Sequence, residues 1–220
     1  RHIGQACERR KGAVYSRKYF GLSDSAHVIL GFFDESSYFT RKNPSALVEV
    51  LEKLEEELPD EDFQVVIKTK NFDKKSSFTA KSHPKLKLIS GILTYDEITS
   101  LISASDTFIS LHRSEGLGRG GAEAILLGKN AVITGYSGVE DYIEHSLAKP
   151  VKFKLVDCKP GDYPHCEGQR WAEPDVDDAV KHLKQLITEV TEKEANNKEY
   201  PNTITNLGVG EAFLRALHDL

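Results

Sequence analysis

The chain has 220 residues, a formal net charge of -5, 39% hydrophobic and 29% charged residues. That is ordinary globular composition, enough for one large domain or two small ones, and it excludes disordered, collagen-like and disulfide-scaffold classes. The acidic balance argues against a bulk electrostatic hold on nucleic acid or anionic lipid. No apolar run approaches the roughly 20 residues that a transmembrane segment requires.

Residues 1–26 are polar and basic, with Arg9-Arg10-Lys11 and Arg17-Lys18, and are expected to be a linker leading in from an upstream region. Ordered structure is expected to begin with a buried strand at His27–Phe33 (HVILGFF). Asn43-Pro44 then reads as a helix cap followed by proline at the first helical position. The helix it opens, 45–58, carries apolar residues at Leu47, Val50, Leu51 and Leu54. A second buried strand follows at Phe63–Thr69 (FQVVIKT), and a third at Leu86–Ser90. Thr94 and Glu97 form a capping box for a helix through Ala104.

The alternation continues with a strand at 107–111 (TFISL), a helix at 120–127, a strand at 131–134 and a last strand at 151–156. An amphipathic helix is expected over 176–194, a charged linker over 192–201 and a short final helix over 209–217. Strands that are nearly all apolar, alternating with helices, predict an α/β fold. Its doubly wound, mostly parallel Rossmann-like sheet would carry helices on both faces. The domain organisation read from this is a linker over 1–26, the Rossmann-like domain over 27–195, and a linker with a C-terminal helix over 196–220. Cys7, Cys158 and Cys166 form no disulfide framework and suit a reducing, cytoplasmic compartment. With no methionine and arginine at position 1, the chain is expected to be a piece of something larger.

In a doubly wound sheet, ligands bind beyond the carboxyl ends of the strands. The densest cluster of reactive residues falls there, from His112 to Glu123, after TFISL. Its glycines let a ligand approach the backbone, and the following helix offers its positive end to a phosphate or pyrophosphate. Glu115, ahead of the glycines, suits sugar or ribose hydroxyls, and Glu123 lies on the first turns of the helix. His112, Arg113 and Arg119 add donors. A rival reading takes Gly116, Gly118 and Gly121 as G-x-G-x-x-G, with Asp141 twenty residues on, for a nicotinamide or flavin site. That fingerprint would fall in the fourth strand–helix unit rather than the first.

The pair Glu115 and Glu123 in SEGLGRGGAEA resembles the E-x7-E motif of the family-four retaining glycosyltransferases, which have the two-Rossmann-domain (GT-B) architecture. The resemblance runs from about Tyr19 to Leu217 and includes FFDESSYFTRKNP, VVIKTKN, LTYDEITSLISASDTFISLHRSEG, AILLGKNAVITGYSG and GQRWAEPDVDDA. It implies the C-terminal, donor-binding half of an enzyme of bacterial polysaccharide assembly, with retaining hexosyl transfer from a nucleotide sugar. It further implies that Glu123 receives the ribose hydroxyls, that Glu115 contacts the transferred sugar, and that the amides of Gly116, Leu117 and Gly118 hold the diphosphate. Lys42 and Lys68 would neutralise the departing phosphate, with Arg41, His112 and Arg113 as further donor-site contacts. Where many relatives have a Gly-Arg pair at the end of the first strand, this chain has Gly31-Phe32-Phe33-Asp34, so the basic role is carried to Arg41.

No metal and no resident cofactor are implied. The partners implied are the nucleotide sugar and a glycan or lipid-linked acceptor held by an N-terminal half, without nucleic acid or a transmembrane segment. Any membrane-peripheral attachment would lie outside this chain. Alone, these 220 residues are expected to bind donor without transferring sugar. The alternatives are a nucleotide-sugar epimerase, a phosphorylase or a non-catalytic nucleotide-binding domain. Tyr136-Ser137-Gly138 either lines the pocket or makes a tight turn, and His112 either contacts sugar or braces the loop. Trp171 reads as a packing anchor, and Cys158, His165 and Cys166 as loop residues short of a zinc set.

Overall fold

The computed structural model describes residues 14–34, 38–70 and 83–188. The expected linker at 192–201 and helix at 209–217 lie outside them, as do Arg9-Arg10-Lys11 and the end of the 176–194 helix. The elements in chain order are β1 (His27–Phe33), α1 (Phe39–Lys42), α2 (Ser45–Glu57), β2 (Phe63–Thr69), β3 (Leu86–Ser90) and α3 (Tyr95–Ala104). They continue with β4 (Thr107–Ser110), α4 (Arg119–Leu126), β5 (Asn130–Thr134), a 3-10 turn at Ser137–Asp141, β6 (Ala148–Val151), β7 (Phe153–Asp157), β8 (Arg170–Pro174) and α5 (Val176–Thr188).

Six strands form one sheet in the order β3-β2-β1-β4-β5-β6, and every pairing is parallel. The expected α/β, doubly wound architecture is therefore present. Alternate residues of β1 face opposite layers. Ile29 joins Leu47, Val50, Leu51 and Leu54 of α2 and Val180 and Leu183 of α5. Val28 and Leu30 join Leu101 and Ile102 of α3 and Ala124 of α4. At about 25 cal/mol per Å2 of apolar surface, such fully covered side chains supply most of the folding drive. The strand order reverses between β1 and β4, and a crevice at such a switch point is where an open α/β sheet places its ligand.

Residues 14–26, assigned from sequence to the lead-in segment, lie against this body. Phe20 and Leu22 are buried with Val28 and Leu101, and Arg17 pairs with Asp106 at 2.5 Å. The capping box is present, with Thr94 Oγ1 accepting from the Glu97 amide and the Thr94 amide donating to Glu97. Two expectations are corrected. Asn43 does not cap α2: Pro44 holds the cap position without a side-chain bond, and Asn43 Nδ2 instead donates to Leu111 O at 3.1 Å. The single strand expected at 151–156 is two strands in different sheets. β6 ends the parallel sheet, while β7 turns away to pair antiparallel with β8. Lys152 sits between them, its amide bonded to Asp178 Oδ2 at 2.9 Å rather than to a ladder.

Candidate functional site

The switch point brings together the segment after β1 and the segment after β4. α1 is only four residues long, and none of its side chains is fully buried. Phe39 rests on Phe33 and the core, and polar ties hold the rest. Arg113 N donates to Arg41 O at 2.9 Å, Arg113 Nη1 to Thr40 O at 2.6 Å, and Arg41 Nη1 to Ser114 O at 2.8 Å. These bonds set Lys42 against Glu115. Lys42 Nζ donates to Glu115 Oε1, and Arg41 Nη1 lies 3.4 Å from Glu115 Oε2. A carboxylate held between two cations is aimed at one place.

The loop from Glu115 is fixed from its other side by the 3-10 turn. Ser137 Oγ accepts from the Glu115 amide and donates to Glu115 O, both at 2.9 Å. Gly138 N donates to the same carbonyl at 3.1 Å. Gly118, at φ +66°, is the residue that turns the loop into α4, and Tyr142 Oη donates to its carbonyl at 2.9 Å. A side chain at Gly120 would meet Phe108 Cζ at 2.4 Å, so the first turn of α4 lies directly on β4. The result is a helix N-terminus with free backbone amides, suited to an anion.

A cavity of about 430 Å3 opens here, lined by Lys42, Ser110, His112, the 115–121 loop and Tyr142, with Phe32 and Phe108 beside them. Its size is in the range of small-molecule sites. A larger space of about 640 Å3, between Arg17, Asp62, Asp106 and Lys129, lies at the amino-terminal edge of the sheet, away from the glycine loop. Of the residues singled out from sequence, Lys42, His112, Glu115, Gly116, Leu117 and Gly118 line the smaller cavity. Glu123 stands beside it, 4% exposed, with Arg119 Nη2 at 3.2 Å from its Oε1. Arg41 and Arg113 stand behind it in the ties just described.

Lys68 is one strand further off. The register of β1 with β2 puts it next to Phe32 on the same face, 8% exposed. Burial lowers its pKa, which Asp34 partly offsets. Sequence reading missed α1, the Ser137 clamp, Tyr142 and β8. The signal for Ser137 was present in Tyr136-Ser137-Gly138: the turn is there, while none of these three residues is among those that line the cavity. Among the described residues, no group of three His, Cys, Asp or Glu could hold a metal ion.

His112 is fully buried, with Nδ1 3.2 Å from Ser110 Oγ and Nε2 3.3 Å from Tyr136 O. Because a carbonyl only accepts, Nε2 carries the proton and Nδ1 accepts from the serine. Burial lowers its pKa, opposed by Glu115, so the ring is neutral at pH 7. His27, half-buried and likewise lowered by its desolvation, acts in the same direction. A base that takes up its proton less readily when folded favours the unfolded chain in acid. Stability is thus expected to be full above pH 6.5 and to decline as pH falls below it. Glu97 and Asp178, both lowered from ordinary carboxylate values, add their losses only at more acidic pH. Melting temperatures from pH 8 to 5 check this, and His112→Gln should flatten the decline. An unchanged slope would mean that His112 stays neutral for no energetic reason.

The family model described as glycosyl transferases group 1 matches residues 36–151. No curated protein sequence matches. Solved structures do. "Trehalose-6-phosphate from E. coli bound with UDP-2-fluoro glucose" superposes with a TM-score of 0.64 at 11% identity, over 100% of this chain and 50% of that one. An α,α-trehalose-phosphate synthase (UDP-forming) from Burkholderia xenovorans, in complex with glucose-6-phosphate, gives 0.64 at 13%, over 98% and 49%. WaaG, a glycosyltransferase involved in lipopolysaccharide biosynthesis, gives 0.56 at 15%, over 86% and 42%. At these identities the likeness is one of fold, and the chain spans about half the length of the structures it matches.

Proposed function

This chain belongs to the group 1 glycosyl transferases, and we propose that it is the donor-binding half of a retaining enzyme that transfers a hexosyl group from a nucleotide sugar. The observation that carries the reading is the Glu115 carboxylate, clamped between Lys42 and Arg41 beside a glycine loop at the N-terminus of α4. The amides of Gly116, Leu117 and Gly118 bind the diphosphate. Glu123, buried at the start of α4, receives the ribose hydroxyls, and Glu115 those of the sugar. Lys42, Arg41 and Lys68 offset the charge that gathers on the phosphate as the glycosidic bond breaks, the step where a fixed cation lowers the barrier most.

His112, neutral and hydrogen-bonded on both nitrogens, acts by bracing the loop. The acceptor hydroxyl attacks from the face that the diphosphate leaves, and its proton goes to the departing phosphate oxygen. This needs no protein base and no metal. The other half of the protein presents a glycan or lipid-linked acceptor. Polysaccharide assembly on the cytoplasmic side is the setting we propose, in keeping with the lipopolysaccharide role of one structural neighbour.

Calorimetric titration with UDP, GDP, dTDP, ADP, their sugar conjugates and NAD tests the reading. One nucleoside diphosphate should bind selectively. Glu123→Ala should weaken it by about 10- to 100-fold, as expected for a charge-assisted hydrogen bond worth about 1.5–3 kcal/mol. Unchanged affinity in Glu123→Ala would remove that residue from the site, and selective binding of NAD would overturn the donor assignment.

A further inference from the structure

The antiparallel β7–β8 ribbon lies outside the parallel sheet, and it reaches the site through Arg113 and through the contact of Phe153 with Tyr136. Glu173 of β8 grips that guanidinium with both oxygens, Oε2 at 2.6 Å from Nε and Oε1 at 2.8 Å from Nη2. The third guanidinium nitrogen, Nη1, donates to Thr40 O of α1 at 2.6 Å. The backbone repeats the connection, since Ala172 N donates to Arg113 O at 3.0 Å and Arg113 N to Arg41 O at 2.9 Å. Trp171 is buried, and its ring centroid lies 5.5 Å from the guanidinium carbon. Arg113 is thus the junction of three elements: the ribbon, the site loop and α1.

We propose that Glu173 is a positioning residue for the anion site, acting through Arg113 and α1 on Lys42. α1 has only limited packing of its own: none of its four residues is fully buried, Phe39 rests on Phe33 and the core, and the helix lies between Tyr38 at φ +40°, whose ring meets Tyr163, and Asn43 at φ +51°. Non-glycine residues in that region carry strain that the surroundings must impose. The bonds from Arg113 to Thr40 and Arg41 supply the polar part of that constraint, and Lys42 is the next residue. The planar, bidentate pairing fixes the orientation of the guanidinium, which a single-point contact would not. Arg113 therefore organises the site instead of meeting the ligand, and the carboxylate that keeps it there is Glu173. This inference rests on the reading of Lys42 as a phosphate-neutralising cation.

Inorganic pyrophosphate is the probe, because it reports the anion site without regard to base or sugar. Its affinity for the full chain is measured by calorimetry in Glu173→Gln, Lys42→Gln and the double variant. Each single change should weaken binding, by about 5-fold and about 10-fold respectively, with the double no weaker than Lys42→Gln alone. Acting through one another, the two changes are coupled; independent effects would multiply to about 50-fold. Glu173→Asp, which keeps the charge and shortens the reach, should lie between Glu173→Gln and the native chain.

Multiplying effects would overturn the positioning role while leaving Lys42 in the site. Tighter pyrophosphate binding in Glu173→Gln would also overturn it, since a released Arg113 would then be a ligand itself. Failure of the native chain to bind pyrophosphate would instead remove the diphosphate reading, and the positioning role with it. Should Glu173→Gln fail to fold, the comparison is made with Glu173→Asp, for which the same non-additivity with Lys42→Gln is expected.

Discussion

Gly138→Ala is expected to abolish nucleoside diphosphate binding, with a loss of at least about 100-fold, while the parallel sheet still folds. A Cβ at this position would lie 1.5 Å from Gly116 O, 2.3 Å from Gly116 C and 3.0 Å from Leu117 N. All three are backbone atoms of the loop whose amides face the cavity, so no side-chain rotation relieves the clash. The loop must move, and with it go the two Ser137 bonds that hold Glu115. Forced displacement of this kind costs on the order of 1–3 kcal/mol, which a domain with a fully covered sheet tolerates. Binding does not, because two charge-assisted hydrogen bonds from the loop amides, at about 1.5–3 kcal/mol each, amount to about 100-fold or more when displaced. Gly116→Ala is the contrast: nothing lies within 4 Å of its Cβ, so any loss there reports crowding of the ligand and not of the loop. Titration with the preferred diphosphate, alongside thermal melts of both variants, separates the cases. Retained affinity in Gly138→Ala would show that the loop is adaptable and that its clamp does not define the site.

The fold was legible because its central strands are buried on both faces, which gives them apolar centres such as VILGFF in β1 and VVI in β2. The same argument predicts what was missed. β7 was read as the continuation of β6, because its partly and well exposed residues give no sign of a change of sheet, and β8 mixes exposed and buried positions without a continuous apolar run. α1 is too short for any helical period, and Asn43 carries the residue type of a cap while its side chain reaches 68 positions along the chain to Leu111. Local propensity cannot report a partner that distant. The glycine loop and Glu115 were readable as a cluster, since they are contiguous in the chain. Ser137 and Glu173 come from other elements, and their bonds to Glu115 and Arg113 become visible only when the fold closes the distance. Candidate residues adjacent in sequence are therefore easier to read than the residues that position them.

In the protein comprising both halves, Glu115→Gln should lower kcat by about 100-fold, roughly 2.7 kcal/mol of transition-state stabilisation. Affinity for the nucleoside diphosphate should stay the same or rise severalfold. The reason lies in what surrounds the carboxylate. Its backbone is bound by Ser137 and Gly138, so the amide variant keeps the loop in place. Its side chain pairs with Lys42 and lies near Arg41. Removing that negative charge leaves two cations with one fewer anion beside them, which favours a bound diphosphate. The sugar loses a charged acceptor for its hydroxyls, and an interaction that strengthens as the bond breaks appears in kcat more than in binding. Steady-state kinetics paired with calorimetry of the diphosphate reads both quantities. If affinity fell together with kcat, Glu115 would be acting as the support of Lys42 and not as a sugar contact. If kcat were unchanged, the carboxylate would have no part in transfer, and the two cations would have to be assigned to the phosphate alone.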